Sequence, residues 1–349
     1  MNRYFLPKTG WEFFDVSRAY GLGIIVHALS GDAVVTDMGG FYLIESKREL
    51  DFERIEQIHL FLGDEQAWDR TLITIGRKSR ENTKKNVEKV LNDLNLIKNI
   101  LNSLMYPNPP AVVGSGSETL YQSMDLAATK GIRDTILLKK QYSEGSSIKV
   151  LIEDFVLSVL GYVNVTVWKM SNKELIFAIP TPTETKILHL LEIRKRINDA
   201  VKGFHNAGWF STIAQIAVNL VLEELDVKKG GKFAPKFSSL KYGVMTKTGN
   251  QWKPLTGGIF PLDFLHRIAE SNEAKNLLNK WKSIFERTAF RKGYEDLSVA
   301  LAEFIANPTL SNYERYIRLH LRNELDKNRI KFGSYERKAL EEVVNVVGV

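Results

Sequence analysis

The chain has 349 residues, 44% apolar and 26% charged, with 48 Lys or Arg against 41 Asp or Glu and no cysteine. That length exceeds the usual size of one compact domain, so two domains or one domain with an appendage are expected. The lack of cysteine excludes disulfides, thiolate metal sites and cysteine nucleophiles and suits a reducing compartment, the cytoplasm.

The opening, "MNRYFLPKTGWEFFDV", places Pro7 and charges where a secretory signal needs an apolar run, and no export signal is visible. Phe14, Ala19, Leu22, Ile25, Val26 and Leu29 then recur at helical spacing. They predict a helix over 11–29 with Gly31 as its stop. "DAVVTDMGGFYLIES" holds two short β-branched or aromatic runs around Asp37 to Gly40, a hairpin pattern. Residues 81–105 repeat Val87, Val90, Leu94, Ile97, Leu101 and Leu104 and predict one amphipathic helix closed by "YPNPP".

"GSGS" at 114–117 precedes a helical pattern but lacks the Gly-Lys-Ser/Thr ending with which a phosphate loop meets its nucleotide. The plainer reading is a turn whose Ser117 caps the next helix. Residues 150–179 alternate apolar runs with the β-rich "ELIFAIP", so strand content is expected there. The two most apolar stretches are either interrupted by Glu153 and Asp154 or too short to cross a bilayer, which argues against a membrane protein. Two helices follow, over 184–202 and 210–225.

From Lys228 the texture changes. Residues 228–261 carry seven lysines and no acid, with Phe233, Phe237, Tyr242, Trp252 and Phe260 among them. Glycines, prolines and polar turn residues make this a loop or hairpin rather than a helix. The aromatics could stack on splayed bases, or pin the segment to the core. From Leu262 the pattern is again helical, broken at Pro308. Between Lys228 and Lys338 stand 22 basic and 11 acidic residues, against 26 and 30 elsewhere, so the whole net charge of +7 originates in the C-terminal third. Such asymmetry is the footprint of a polyanionic partner.

If 312–329 is one helix, Arg315, Arg318, Arg322 and Arg329 share an arc of about 60°. Tyr313, Ile317 and Leu321 lie opposite, available for packing. Guanidinium groups on one arc suit phosphates bidentately, although Glu314, Glu324 and Asp326 could pair with them locally. Lys228, Lys229, Lys232, Lys236, Lys241, Lys247 and Lys253, with Asn250 and Gln251, complete the candidate nucleic-acid contacts. No histidine pair has metal-ligand spacing, no nucleophile elbow occurs, and "GLG" at 21–23 is too little for a dinucleotide fingerprint. The expectation is a binding subunit without cofactor or metal, not an enzyme.

"WEFFDVSRAYGLGIIVHALSGDAVVTDMGGFYLIE" and "FIANPTLSNYERYIRLHLR" resemble the large subunit of CRISPR interference complexes, the Cas-eight family in its compact archaeal type I-A form. The resemblance spans most of the chain and lies in texture and order rather than in a catalytic motif. It implies an α+β architecture: an irregular mixed N-terminal domain over 1–227, a basic loop region over 228–262 and a C-terminal helical bundle over 263–349. It implies a subunit beside the crRNA 5′ handle that inspects the protospacer-adjacent motif in target duplex DNA. Its partners would be crRNA, target DNA, the backbone, handle-capping and small subunits, and the helicase and nuclease. "GSGS" at 114–117 and "KTGNQWK" at 247–253 are the candidate motif-reading elements, Asn250 and Gln251 for base edges, Lys247 and Lys253 for phosphates. The alternative is a metal-dependent nuclease with a diffuse acidic site, for example Glu153 with Asp154.

Overall fold

A computed structural model describes residues 1–107, 116, 118–119, 149–202, 207–226, 233–271, 273–287, 294–325, 337–338 and 341. The protein is α+β, with sheets and helices in its N-terminal region and helices towards its C-terminus. It divides into two compact units, residues 1–194 with 241–258, and residues 195–240 with 259–349. Of the expected basic region 228–262, residues 241–258 therefore group with the first unit and 233–240 and 259–262 with the second.

In the first unit, β1 (Asn2–Pro7), β2 (Val34–Asp37), β3 (Phe41–Ser46) and β8 (Glu184–Lys186) form a sheet ordered β1-β3-β2-β8. All of its pairings are antiparallel. The expected hairpin is β2–β3, with Gly39 in the turn at φ 81°. α1 (Glu12–Ser30) is the expected helix and ends at Gly31, whose N–H donates to His27. It is buried around nearly its whole circumference because α5 (Ile152–Val165) packs along it. A Cβ at Gly21 would overlap the Leu157 carbonyl, and one at Gly161 would overlap the Ser17 carbonyl. These two glycines let the helix backbones touch.

The strand content expected in 150–179 lies in its second part, while the apolar run of the first part is helix α5. Its apolar run is continuous, and periodicity cannot separate a fully buried helix from a buried strand. Glu153 and Asp154 in the first turn suit the positive end of the helix dipole. After α5 the chain becomes strand at β6 (Val167–Met170) and β7 (Glu174–Pro182). The single helix expected over 81–105 is two, α3 (Arg77–Leu91) and α4 (Leu94–Ser103). Asp93 breaks the run and caps α4 by accepting from the amides of Asn95 and Leu96. β1, a 3-10 helix at Phe52–Phe61 and α2 (Glu65–Thr71) went unread in the sequence. A two-residue ribbon, β4 (Glu118–Thr119) with β5 (Lys149–Val150), completes these elements.

β9 (Phe237–Thr248) and β10 (Gln251–Pro261) make a long hairpin in a second sheet, ordered β10-β9-β7-β6. Phe237 and Phe260 are buried and Tyr242 is half-buried. Those aromatics anchor the strands rather than offering free rings.

In the second unit, α7 (Trp209–Asp226) packs against α8 (Asp263–Ala269), α9 (Ala274–Arg287) and α10 (Glu295–Ala306). The expected helix over 184–202 is β8 followed by α6 (Ile187–Lys202). α11 (Leu310–Leu325) closes the bundle on α10. Phe264, Trp281, Phe304 and Tyr316 form its aromatic centre, with Phe304 and Tyr316 stacked 5.9 Å apart. Buried Glu224 accepts from the amides of Lys236 and Phe237, at 2.6 and 3.2 Å, and lies 3.1 Å from His266 Nε2. One carboxylate thus fixes where β9 begins.

Candidate nucleic-acid interface

The hairpin reverses at Gly249 and Asn250, where Gly249 adopts φ 60°, a left-handed conformation that costs other residues free energy. At this tip Lys247, Asn250, Gln251 and Lys253 are all exposed. Gln251 and Lys253 share one face of β10 by the two-residue period of a strand. The Lys247 amide donates to the Lys173 carbonyl at 2.8 Å, so the β6–β7 turn lies against the tip and adds exposed Lys173. Lys169 on β6 is half-buried. Burial lowers its ammonium to about 8, while Glu174 pulls in the opposite direction. The same burial raises the Glu174 carboxyl. Sequence spacing could not reveal Lys173, because only the pairing of β9 beside β7 brings the two turns together.

Lys241 differs from its neighbours. It is 8% exposed, and its Nζ donates to Glu12 Oε2 at 2.7 Å. An acid 229 residues away in the sequence supplies the partner that the local segment lacks. Lys241 therefore holds β9 in place and is withdrawn from any phosphate. Lys236 is half-buried, its amide bound to Glu224. Lys228, Lys229, Lys232 and Arg329 lie outside the described residues, as do Gly114, Ser115 and Ser117 of the "GSGS" candidate.

On α11 the arginines do face away from the packed side. Tyr316 and His320 are buried at 0% and 1% exposure, and Arg315, Arg318 and Arg322 are exposed. The packing stripe is not the expected one, however, since Leu321 is 47% exposed and Tyr313 and Ile317 are only half-buried. The bundle grips the helix about one residue round from where aliphatic spacing put it, because the aromatic centre recruits Tyr316. Arg315 pairs with Glu303, and Arg318 with Glu314 at 3.2 Å. Exposed pairs of this kind contribute about 0–1 kcal/mol, so a phosphate can displace them.

Asp154 lies 3.3 Å from Arg18, which makes it an ion-pair partner rather than half of a free carboxylate pair with Glu153. Among the described residues no group of three or more His, Asp or Glu is placed to hold a metal ion, and no helix is long and apolar enough to cross a membrane.

No protein-family model matches the chain. It is similar over its whole length to an uncharacterized protein of Archaeoglobus fulgidus, 74% identical over 350 residues that cover 100% of this chain and 99% of the relative.

Proposed function

We propose, for a chain that belongs to the same family as the uncharacterized Archaeoglobus fulgidus protein, a non-catalytic role in binding nucleic acid. In this reading it is the large subunit of a crRNA-guided type I CRISPR complex in the cytoplasm, meeting target duplex DNA at the adjacent motif. The observation that carries the reading is the β9–β10 tip, where Lys247, Lys253 and Lys173 are exposed around Asn250 and Gln251 at one end of the four-stranded sheet. The lysines around the turn hold phosphates, and the Asn250 and Gln251 amide side chains at its end present donors and acceptors to base edges. Guide pairing would supply sequence while this tip reads a short motif. The exposed arginines of α11 offer a second anionic contact, to crRNA or to an acidic face of a neighbouring subunit.

The test uses the protein assembled into a guide-loaded complex, with targets carrying correct and scrambled adjacent motifs. Replacing Asn250 and Gln251 by alanine should narrow the affinity gap between the targets by about 1–3 kcal/mol. A gap that stays unchanged removes motif reading from this hairpin. Purified protein should not cut DNA with magnesium or manganese. Metal-dependent turnover abolished by a single carboxylate substitution would establish the nuclease alternative instead.

A further inference from the structure

The second unit carries a cavity of about 160 Å³ where the end of β10, α8, α10 and the connection to α11 meet. Its wall is apolar, from Pro261, Phe264, Ile305, Ala306 and Pro308. A cavity of this size admits a benzene-sized group, so it suits one apolar side chain. Two charges stand at its mouth. Asp263 and Arg267 line it from successive turns of α8, and both are exposed. Although they are four residues apart, they form no ion pair with each other, and among the described residues neither side chain has an oppositely charged partner.

Apolar side chains flank the opening. Ile259, two residues before Pro261, is 49% exposed, and Leu310, two residues after Pro308, is 53% exposed. One patch therefore holds a hole, an apolar knob beside it, an unpaired acid and an unpaired base. An exposed apolar patch with a polar rim marks a protein contact. The acid at the mouth disfavours nucleic acid as the occupant. A contact between identical patches across a two-fold axis needs each feature to find its complement within the same patch, and here each does: Leu310 matches the hole and Arg267 matches Asp263.

We propose that this face joins two copies of the chain, with Leu310 of each copy seated in the cavity of the other and Asp263 of each paired with Arg267 of the other. The apolar side chains supply the affinity and the two ion pairs fix the register. The proposal does not rest on the nucleic-acid reading, since none of these residues belongs to the hairpin tip or to the exposed arginines of α11.

Sedimentation velocity of the full chain at rising concentration tests it, and the wild type should pass from monomer to dimer. Asp263→Arg places two cations at each mouth and Arg267→Asp places two anions, so either variant alone should dimerise at least tenfold more weakly. Mixed together, the two variants should form a heterodimer, because each cation then faces an anion, and a chain carrying both changes should dimerise again. Misfolding of either variant does not produce such a rescue. Ala306→Phe fills the cavity and Leu310→Ala removes the knob, and each should weaken the dimer at least tenfold. Leu310 is exposed, so its variant keeps the cooperative melt and decides the matter should Ala306→Phe fail to fold. The proposal is overturned if the wild type stays monomeric at every concentration, if the charge variants dimerise as the wild type does, or if they do not pair when mixed. A monomer that binds a leucine-rich peptide in the cavity would make this face a site for a different partner and also overturn it.

Discussion

Burial raises the Asp15 carboxyl from 3.8 to about 6, although Arg18, Thr9 and the Gly10 amide all favour its charged form. The folded state therefore binds this proton more tightly than the unfolded chain does. The resulting stabilisation is fully present below pH 3.8 and is lost as pH rises through about 6. Between those limits the wild type should lose about 3 kcal/mol relative to Asp15→Asn, the equivalent of roughly two pKa units. Denaturant melts of both proteins from pH 3.5 to 7 check this, and a constant difference across that range contradicts it. Nothing in "WEFFDVSRAYG" distinguishes Asp15 from an ordinary first-turn acid. Its burial follows from the packing of α5 along α1, which local spacing does not contain. Lys241 makes the same point, since its partner Glu12 stands at the other end of the chain.

At the scale of elements, the contact of α1 with α5 is the tightest constraint on the first unit. Gly161→Ala would drive a methyl group into the Ser17 carbonyl. Because backbone rather than a side chain must yield, the cost should reach about 3 kcal/mol, the upper end for overpacking. A melt within experimental error of the wild type would mean that the helices do not cross there. The pattern "GLG" was legible as helical, yet its purpose was hidden because a close helix crossing needs both partners to be known. The second helix, α11, was legible as amphipathic with its arginines on one side. Its packing stripe was not, because Tyr316 is recruited by Phe304 and Trp281 from other helices. Changing Arg315, Arg318 and Arg322 together to glutamate should shift the melt little, given that each exposed ion pair contributes about 0–1 kcal/mol. Nucleic-acid or partner binding should weaken. Loss of cooperative unfolding in this variant would make the arginines structural.

For the whole molecule, the charge asymmetry along the chain is treated in two ways among the described residues considered above. Part of it is absorbed by the fold, in Lys241 with Glu12, Arg315 with Glu303 and Arg318 with Glu314. At the hairpin tip, by contrast, Lys247 and Lys253 meet Lys173 from the neighbouring turn, which adds positive charge rather than removing it. The sequence predicted the excess and a loop or hairpin, but only the strand order β10-β9-β7-β6 explains why the tip concentrates charge. The most direct test changes Lys173, Lys247 and Lys253 to alanine and measures duplex DNA affinity across a series of salt concentrations. Each duplex phosphate that is no longer neutralised by a lysine should reduce the log–log salt slope by about 0.9. The slope should therefore shrink by up to about 2.7 if all three lysines meet duplex phosphates, with targets carrying correct and scrambled motifs weakened alike. A slope identical to that of the wild type would contradict the account and place the path of the nucleic acid away from this hairpin.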